Sequence, residues 1–363
     1  MKVGKRNIYE FAAELDRREK AKKDLLVDTR VMAMDASPDI TQISIRNDKT
    51  GETLLFGVNE IAHNQIGTNL GIPAKYYDKM RAENPELLAM NVNSWFQKNP
   101  KVRMVRTLDG ITRAFLSDRY RRIDNFEIAQ TVLPIIADMP EAIIESCEIT
   151  DERMYIKVVN PRLTTEVVPG DIVQSGLIIT NSEVGLGSVT IQPLVYRLVC
   201  RNGMIVNDAR TRKYHVGRGN EAAEDFSIYS NETLVASDKA LQLKIQDTVR
   251  SVVDKVRFER VVDMMRQAKQ AVIAADTNIP AMIELGGSDF KYSKEEGEGI
   301  LGYLIRGGDM SLYGYANATT RFAQDVKSYD RSTELESIGY SILGMSSAKW
   351  KKLQKDSVEE IVA

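Results

Sequence analysis

Two basic stretches hold most of the residues whose types and spacing could do chemistry. Residues 101–122, KVRMVRTLDGITRAFLSDRYRR, carry Lys101, Arg103, Arg106, Arg113, Arg119, Arg121 and Arg122 against only Asp109 and Asp118, in a chain whose net charge is −2. Residues 197–218 carry Arg197, Arg201, Arg212, Lys213 and Arg218 with His215, against a single acid, Asp208. Aromatic residues interleave with both, namely Phe115 and Tyr120 in the first, with Tyr196 beside and Tyr214 within the second. Cations for phosphates and π faces for bases are the two ingredients of a groove that tracks a single strand. The competing reading is a solvated sheet face whose charges discourage edge pairing and need no ligand.

The first stretch has its own geometry. Asp109-Gly110 between two alternating runs predicts a two-residue hairpin, which sets Leu108 opposite Ile111, Arg106 opposite Arg113 and Met104 opposite Phe115. Like charges directly across a strand pair repel, so Arg106 and Arg113 need an anionic ligand or an acidic neighbour. A phosphate diester flanked by Phe115 is one solution. Carboxylates such as Glu145 or Glu148 are the other.

Other chemistries find little support. His63 and His215 are the only histidines and sit in no metal-binding frame. The carboxylates form no recognisable nuclease or glycosidase pair, and Ser182 lacks the framing of a nucleophile elbow. The glycine loop SEVGLGS has no following Lys-Ser/Thr, so it reads as a turn sooner than a phosphate loop. Cys147 and Cys200 lie in apolar runs and read as reduced core residues. The sequence thus names no catalytic residue, no metal and no cofactor, and an enzyme ranks behind a binding protein.

These residues need elements to position them. The 363 residues, 43% hydrophobic and 28% charged, suit an α+β protein with a substantial core. The N-terminal stretch lacks the apolar region of a secretion signal, and no run is long enough to span a membrane, so the expected location is the cytoplasm. Residues 1–27 read as a solvated helical arm. Residues 28–228 read as an α+β body built from an antiparallel, hairpin-rich β-meander with packed helices. In it RVMAMDA and QISIRNDKTGETLLFGV are strands, 59–99 is helical with Trp95 and Phe96 inward, 124–138 is a helix with Asp124 as N-cap, and 141–216 is again strand-rich. Residues 229–363 read as a helical C-terminal region opening with one long helix, whose stripe runs through Ile245, Val249, Val252, Val256, Val262 and Met265.

The segments LGIPAKYYDKM, VRTLDGITRAFLSDRYRRIDNFEIAQTVLPII, TNSEVGLGSVTIQPLVYRLVCRNGMIV, KYHVGRG and NATTRFAQDVKSYDRSTELESIGYSIL resemble the phage/plasmid-like family labelled domain of unknown function nine hundred thirty-two, over about residues 60–345. That family offers no catalytic residues to carry over. Its setting implies work on mobile DNA, and single-strand annealing proteins of phages give a fold-level analogy. The leading expectation is single-stranded DNA binding that supports annealing or recombination of phage or plasmid DNA without nucleotide hydrolysis. The first alternative is a mobile-element interaction or anti-defence protein docking on a host protein. The second is a metal-dependent enzyme acting on nucleic acid. Expected partners are single-stranded DNA and further copies of the chain, with a host protein under the alternative and no membrane.

Overall fold

The structure is a computed structural model, and it describes residues 1–207 and 231–359 apart from Asp39, Asp48, Lys49 and Arg121. It is α+β, as the sequence implies. Among the described residues the strands form two sheets.

The first sheet contains β1 (Lys23–Asp28), β2 (Met32–Ala36), β3 (Thr41–Arg46), β4 (Thr53–Val58), β5 (Val102–Leu108) and β6 (Ile111–Ser117), in the order β1-β5-β6-β4-β3-β2. Two local signals set its hairpins. Gly51 takes φ +73° in the β3–β4 reversal, and Asp109 (φ +51°) with Gly110 (φ +78°) makes the left-handed turn that Asp-Gly favours. All neighbours are antiparallel except β4 and β6, which run parallel for only two residue pairs, Gly57 with Ile111 and Val58 with Thr112. Where β4 would continue, Asn59 caps α2 (Glu60–Leu70) and the helix takes over the edge. Gln65 accepts from the Phe115 amide at 2.7 Å, so the backbone of β6 stays satisfied without a strand beside it. Together with α3 (Ala74–Glu83) and α4 (Pro85–Lys98), α2 covers one sheet face, burying Phe56, Ile66, Leu88, Phe96, Val105 and Phe115.

The second sheet is a meander of β7 (Ile143–Ile149), β8 (Met154–Glu166), β9 (Ile172–Asn181), β10 (Thr190–Arg197) and β11 (Asn202–Ile205), every pair antiparallel. On one face lie α1 (Ile8–Ala21), α5 (Asn125–Asp138) and α6 (Asn231–Val252), with Phe11, Leu15, Ile128, Val132, Ile245 and Val249 packed on Ile156, Leu177 and Ile179. The remaining helices are α7 (Lys255–Gln270), α8 (Ile279–Phe290), α9 (Lys294–Gly307), α10 (Leu312–Phe322), α11 (Tyr329–Leu343) and α12 (Ser347–Glu359). Their core is continuous with Val173, Val195 and Met204 of the sheet and with Val167 just after β8.

Three expectations need correction. The first 27 residues are no solvated arm, because Phe11 and Leu15 are buried and β1 is hydrogen-bonded along β5. The long helix is two helices, α6 and α7, broken where Asp254 caps α7, and Val256 is 64% exposed instead of on the buried stripe. The C-terminal helices share a core with the second sheet, so the C-terminal region is not a separate body with a core of its own. Ile245 and Val249 pack under α5, and Val262 and Met265 under α10 and its neighbours, so that stripe is filled from within the chain.

Candidate nucleic-acid interface

The β5–β6 hairpin divides its cations into two groups. A β-bulge decides the first. The register runs Val105 with Phe115 and Arg106 with Ala114, then shifts to Thr107 with Thr112, leaving Arg113 as the extra residue. Arg106 and Arg113 therefore do not stand opposite each other as the two-residue turn predicted. A bulge re-aims a side chain, and here both arginines reach the same glutamate, Glu183, which follows β9.

Arg106 is completely buried. Its Nε and Nη2 donate to Asp24 at 2.8 and 3.0 Å, Nη2 also to Asp124 at 2.5 Å, and Nη1 to the main-chain oxygen of Glu183 at 2.8 Å. Burial alone would lower its pKa; Asp24 and Asp124 outweigh that, and the net shift is upward. Burial likewise would raise the pKa of Asp124, but Arg106 and Lys22, both within ion-pair contact, hold it below the usual carboxylate range. Asp124 occupies the N-cap position of α5, yet its side chain makes no cap hydrogen bond because it is turned to these cations. Glu183 substitutes, accepting from the Asn125 amide at 2.7 Å through Oε1 while Oε2 takes Arg113 Nη1 at 2.5 Å. The cluster ties β1, β5 and β6 of the first sheet to α5 and β9 of the second body. Its arginines are a structural clamp, not the phosphate ribbon expected of Arg106 and Arg113. The expected carboxylate partners were also different: Glu148 pairs instead with Arg6.

In the second group Lys101 and Arg119 are exposed and Arg103 is half-buried. Lys101, Arg103 and Arg119 have no described carboxylate within ion-pair distance, although Arg103 feels Asp118 at longer range. They sit at the open end of the hairpin, where Arg103 pairs across to Ser117 and Lys101 is tied by main-chain contact to Thr29. The Arg103 guanidinium lies 5.8 Å from the centre of the Phe115 ring, and Lys98 lies 5.3 Å from that of the half-buried Trp95. Phe115 itself is 1% exposed and stacks in the core on Phe96, so it offers no surface to a base. Tyr120 is half-buried with its hydroxyl on the Ser182 carbonyl, and Arg122 is exposed but within 3.3 Å of Asp24. Arg121 lies outside the described residues.

The other basic stretch contributes less. Arg197 makes a two-pronged pair with Asp171 at 2.5 and 3.0 Å. Arg201 is exposed in the β10–β11 turn, on the second sheet. Arg212, Lys213, Tyr214, His215 and Arg218 lie outside the described residues. The SEVGLGS loop is pinned at its carbonyls, by Gln65 on Val184 and by Arg153 on Leu186. Its positioned group is the Glu183 carboxylate. His63 is buried on α2, 2.9 Å from the Tyr77 hydroxyl, and burial brings its pKa down to about 4. No group of three His, Cys, Asp or Glu among the described residues could hold a metal ion, and no described helix is long and apolar enough to cross a membrane.

Part of this cluster lies in a stretch with a family match. Residues 114–285 match the model of the family described as Domain of unknown function (DUF932). The match begins inside β6, takes in Asp124, Glu183 and the whole second sheet, and ends inside α8. LGIPAKYYDKM and the α10–α11 segment, quoted above for the resemblance, fall outside it. No curated protein and no solved structure matches the chain.

Proposed function

We propose that the chain binds single-stranded DNA at the open end of the β5–β6 hairpin. The observation that carries this reading is the division of the hairpin's cations: Arg106 and Arg113 are committed to buried carboxylates, whereas exposed Lys101 and Arg119 and half-buried Arg103, with Lys98 nearby in sequence, have no described carboxylate in ion-pair contact. Trp95 supplies a ring at the same end. Cations beside a π surface suit phosphates and unstacked bases better than a duplex, whose bases are inaccessible to stacking. The activity served would be annealing or recombination of phage or plasmid strands without nucleotide hydrolysis.

With three or four phosphate contacts, the log-log salt slope for a single strand is expected at roughly −2 to −3. A labelled oligonucleotide titrated across a salt series, with and without magnesium, tests it. Binding that needs no metal and weakens with that slope supports the proposal, and absence of binding at low salt overturns it.

A further inference from the structure

We propose that the groove between α8 and α9 binds a small organic monoamine, its ammonium group held by Glu284 and Glu298 and its hydrocarbon chain laid on the groove floor. The inference does not depend on the DNA-binding reading, because no residue of the β5–β6 hairpin lines this groove.

The groove has a volume of about 450 Å³, within the roughly 300–1,000 Å³ of small-molecule sites. Its walls are two helical stripes: Ile283, Glu284 and Gly287 follow one face of α8 at spacings of three and four, and Gly297, Glu298 and Leu301 do the same on α9. A second helix pair in the chain shows why the space is open. The burial pattern of α2–α3 recurs in α8–α9 at a constant spacing that aligns Gly67 with Gly287, Ile72 with Tyr292 and Tyr77 with Gly297. Both turns pass through a left-handed residue, Gly71 (φ +70°) and Lys291 (φ +59°). In α2–α3 the Tyr77 ring fills the angle between the helices, so closely that a Cβ on Gly67 would stand 2.9 Å from it. In α8–α9 glycine replaces that ring. Tyr292 rests against the two glycines, but its hydroxyl is drawn inward, 2.5 Å from the Ile283 carbonyl and 2.5 Å from the Tyr315 hydroxyl, and the outer part of the angle stays open. Glycine inside a helix is less stable than alanine, and a Cβ on Gly297 would meet Tyr292 and Ile283 at 3.4 and 3.6 Å, ordinary contact distances. Packing therefore does not demand this glycine; what the missing side chain provides is the groove.

Charge selects the ligand. Glu284 and Glu298, one on each wall, are exposed, and neither has a described cation in ion-pair contact. Lys294, one turn nearer the α8–α9 connection than Glu298, is the third charge of the lining, so two carboxylates face one ammonium and the groove is negative. A single cation between the glutamates balances it. A second cation towards the connection would meet Lys294, which favours a monoamine over a diamine. Pro280, Ile283, Leu301 and the Tyr292 ring supply the apolar contact for a hydrocarbon chain. The α8 wall runs from Pro280 to Ser288, about 12 Å of helix at 1.5 Å per residue, which suits a short alkyl chain.

The experiment is a titration of the intact protein with n-pentylamine and, separately, its neutral counterpart n-pentanol, at neutral pH and constant low ionic strength, following the backbone amide resonances of Gly287 and Gly297 by NMR. The expected result is a saturable shift of both glycines with the amine at about 1 mM or below, and binding of the alcohol weaker by about fivefold or more, the worth of two exposed ion pairs. Glu284→Gln with Glu298→Gln should weaken the amine by a similar factor and leave the alcohol unchanged. Gly297→Leu should abolish both by filling the groove. Cadaverine, a diamine, should bind no more tightly than n-pentylamine. The proposal is overturned if the amine gives no saturable change up to about 10 mM, if the alcohol binds as tightly as the amine, if the diamine binds more tightly, or if the double glutamine variant binds the amine as the parent does. If Gly297→Leu does not fold, the exposed glutamate pair still decides.

Discussion

Replacing Arg106 by alanine should cost far more stability than any change at the exposed rim. The side chain is completely buried and links Asp24, Asp124 and the Glu183 carbonyl, while the Asp24 and Asp124 side chains are themselves only 7% and 9% exposed. Truncation leaves two aspartates facing each other, with Lys22 retained on one and the half-exposed Arg122 on the other. Removing one partner from a buried ion pair costs about 3 to 5 kcal/mol, a large share of the 5–15 kcal/mol by which domains are typically stable. The pH dependence identifies the cause. In the parent, Asp124 is held below its unfolded pKa, so its contribution is full at neutral pH and is lost as pH falls below about 4. In Arg106→Ala, Asp124 loses the cation that offsets its burial, so its pKa rises and protonation relieves the penalty as pH falls. The gap between parent and variant should therefore be widest near pH 7 and close towards pH 4. Urea denaturation of both proteins at several pH values measures it. A loss below about 1 kcal/mol at pH 7, or a gap independent of pH, would refute the buried clamp.

Other expectations follow from the same structure. His63 titrates at about 4 against 6.5 when exposed, so its burial as a neutral ring is fully favourable above pH 6.5 and costs ~3 kcal/mol by pH 4. His63→Gln should flatten the stability profile across that window relative to the parent. Comparing the two proteins cancels the background from the Met1 amine, which burial lowers to about 5. Lys157 and Glu336 form a fully buried pair at 2.7 Å, so Lys157→Met alone should lose about 3 to 5 kcal/mol, while Lys157→Met with Glu336→Leu should recover most of it in thermal or urea unfolding. Glu183→Gln should cost about 1 to 3 kcal/mol, because Arg113 and the Asn125 amide keep only a weaker neutral acceptor; unchanged unfolding would count against its bridging role.

The sequence was most legible where structure is local. The Asp109-Gly110 turn, Gly51, the helices after Asn59 and Asp124, and the strand run from Ile143 are set by neighbours in the chain. The site was legible only in part. The need of Arg106 and Arg113 for acids was visible, though inferred from a cross-strand pairing that the bulge removes, and those acids stand far off: Asp24 is 82 residues from Arg106 and Glu183 is 70 from Arg113. No local pattern marks such partners. The bulge was equally hidden, since it arises where β6 passes from β4 to α2 along its edge. Asp124 did look like an N-cap and occupies that position, but tertiary cations claim its side chain. Asp254 is a helix-cap residue inside an apolar stripe, a sign that could have divided α6 from α7.

The most direct test of the division between clamp and rim is the affinity of the triple variant Lys101→Ala, Arg103→Ala, Arg119→Ala for a labelled single strand, read across a salt series beside the parent. None of the three makes a buried ion pair, so unfolding should change by about 1 kcal/mol or less, while affinity falls and the salt slope shrinks by roughly two. Unchanged affinity and slope in a folded triple variant would contradict the account.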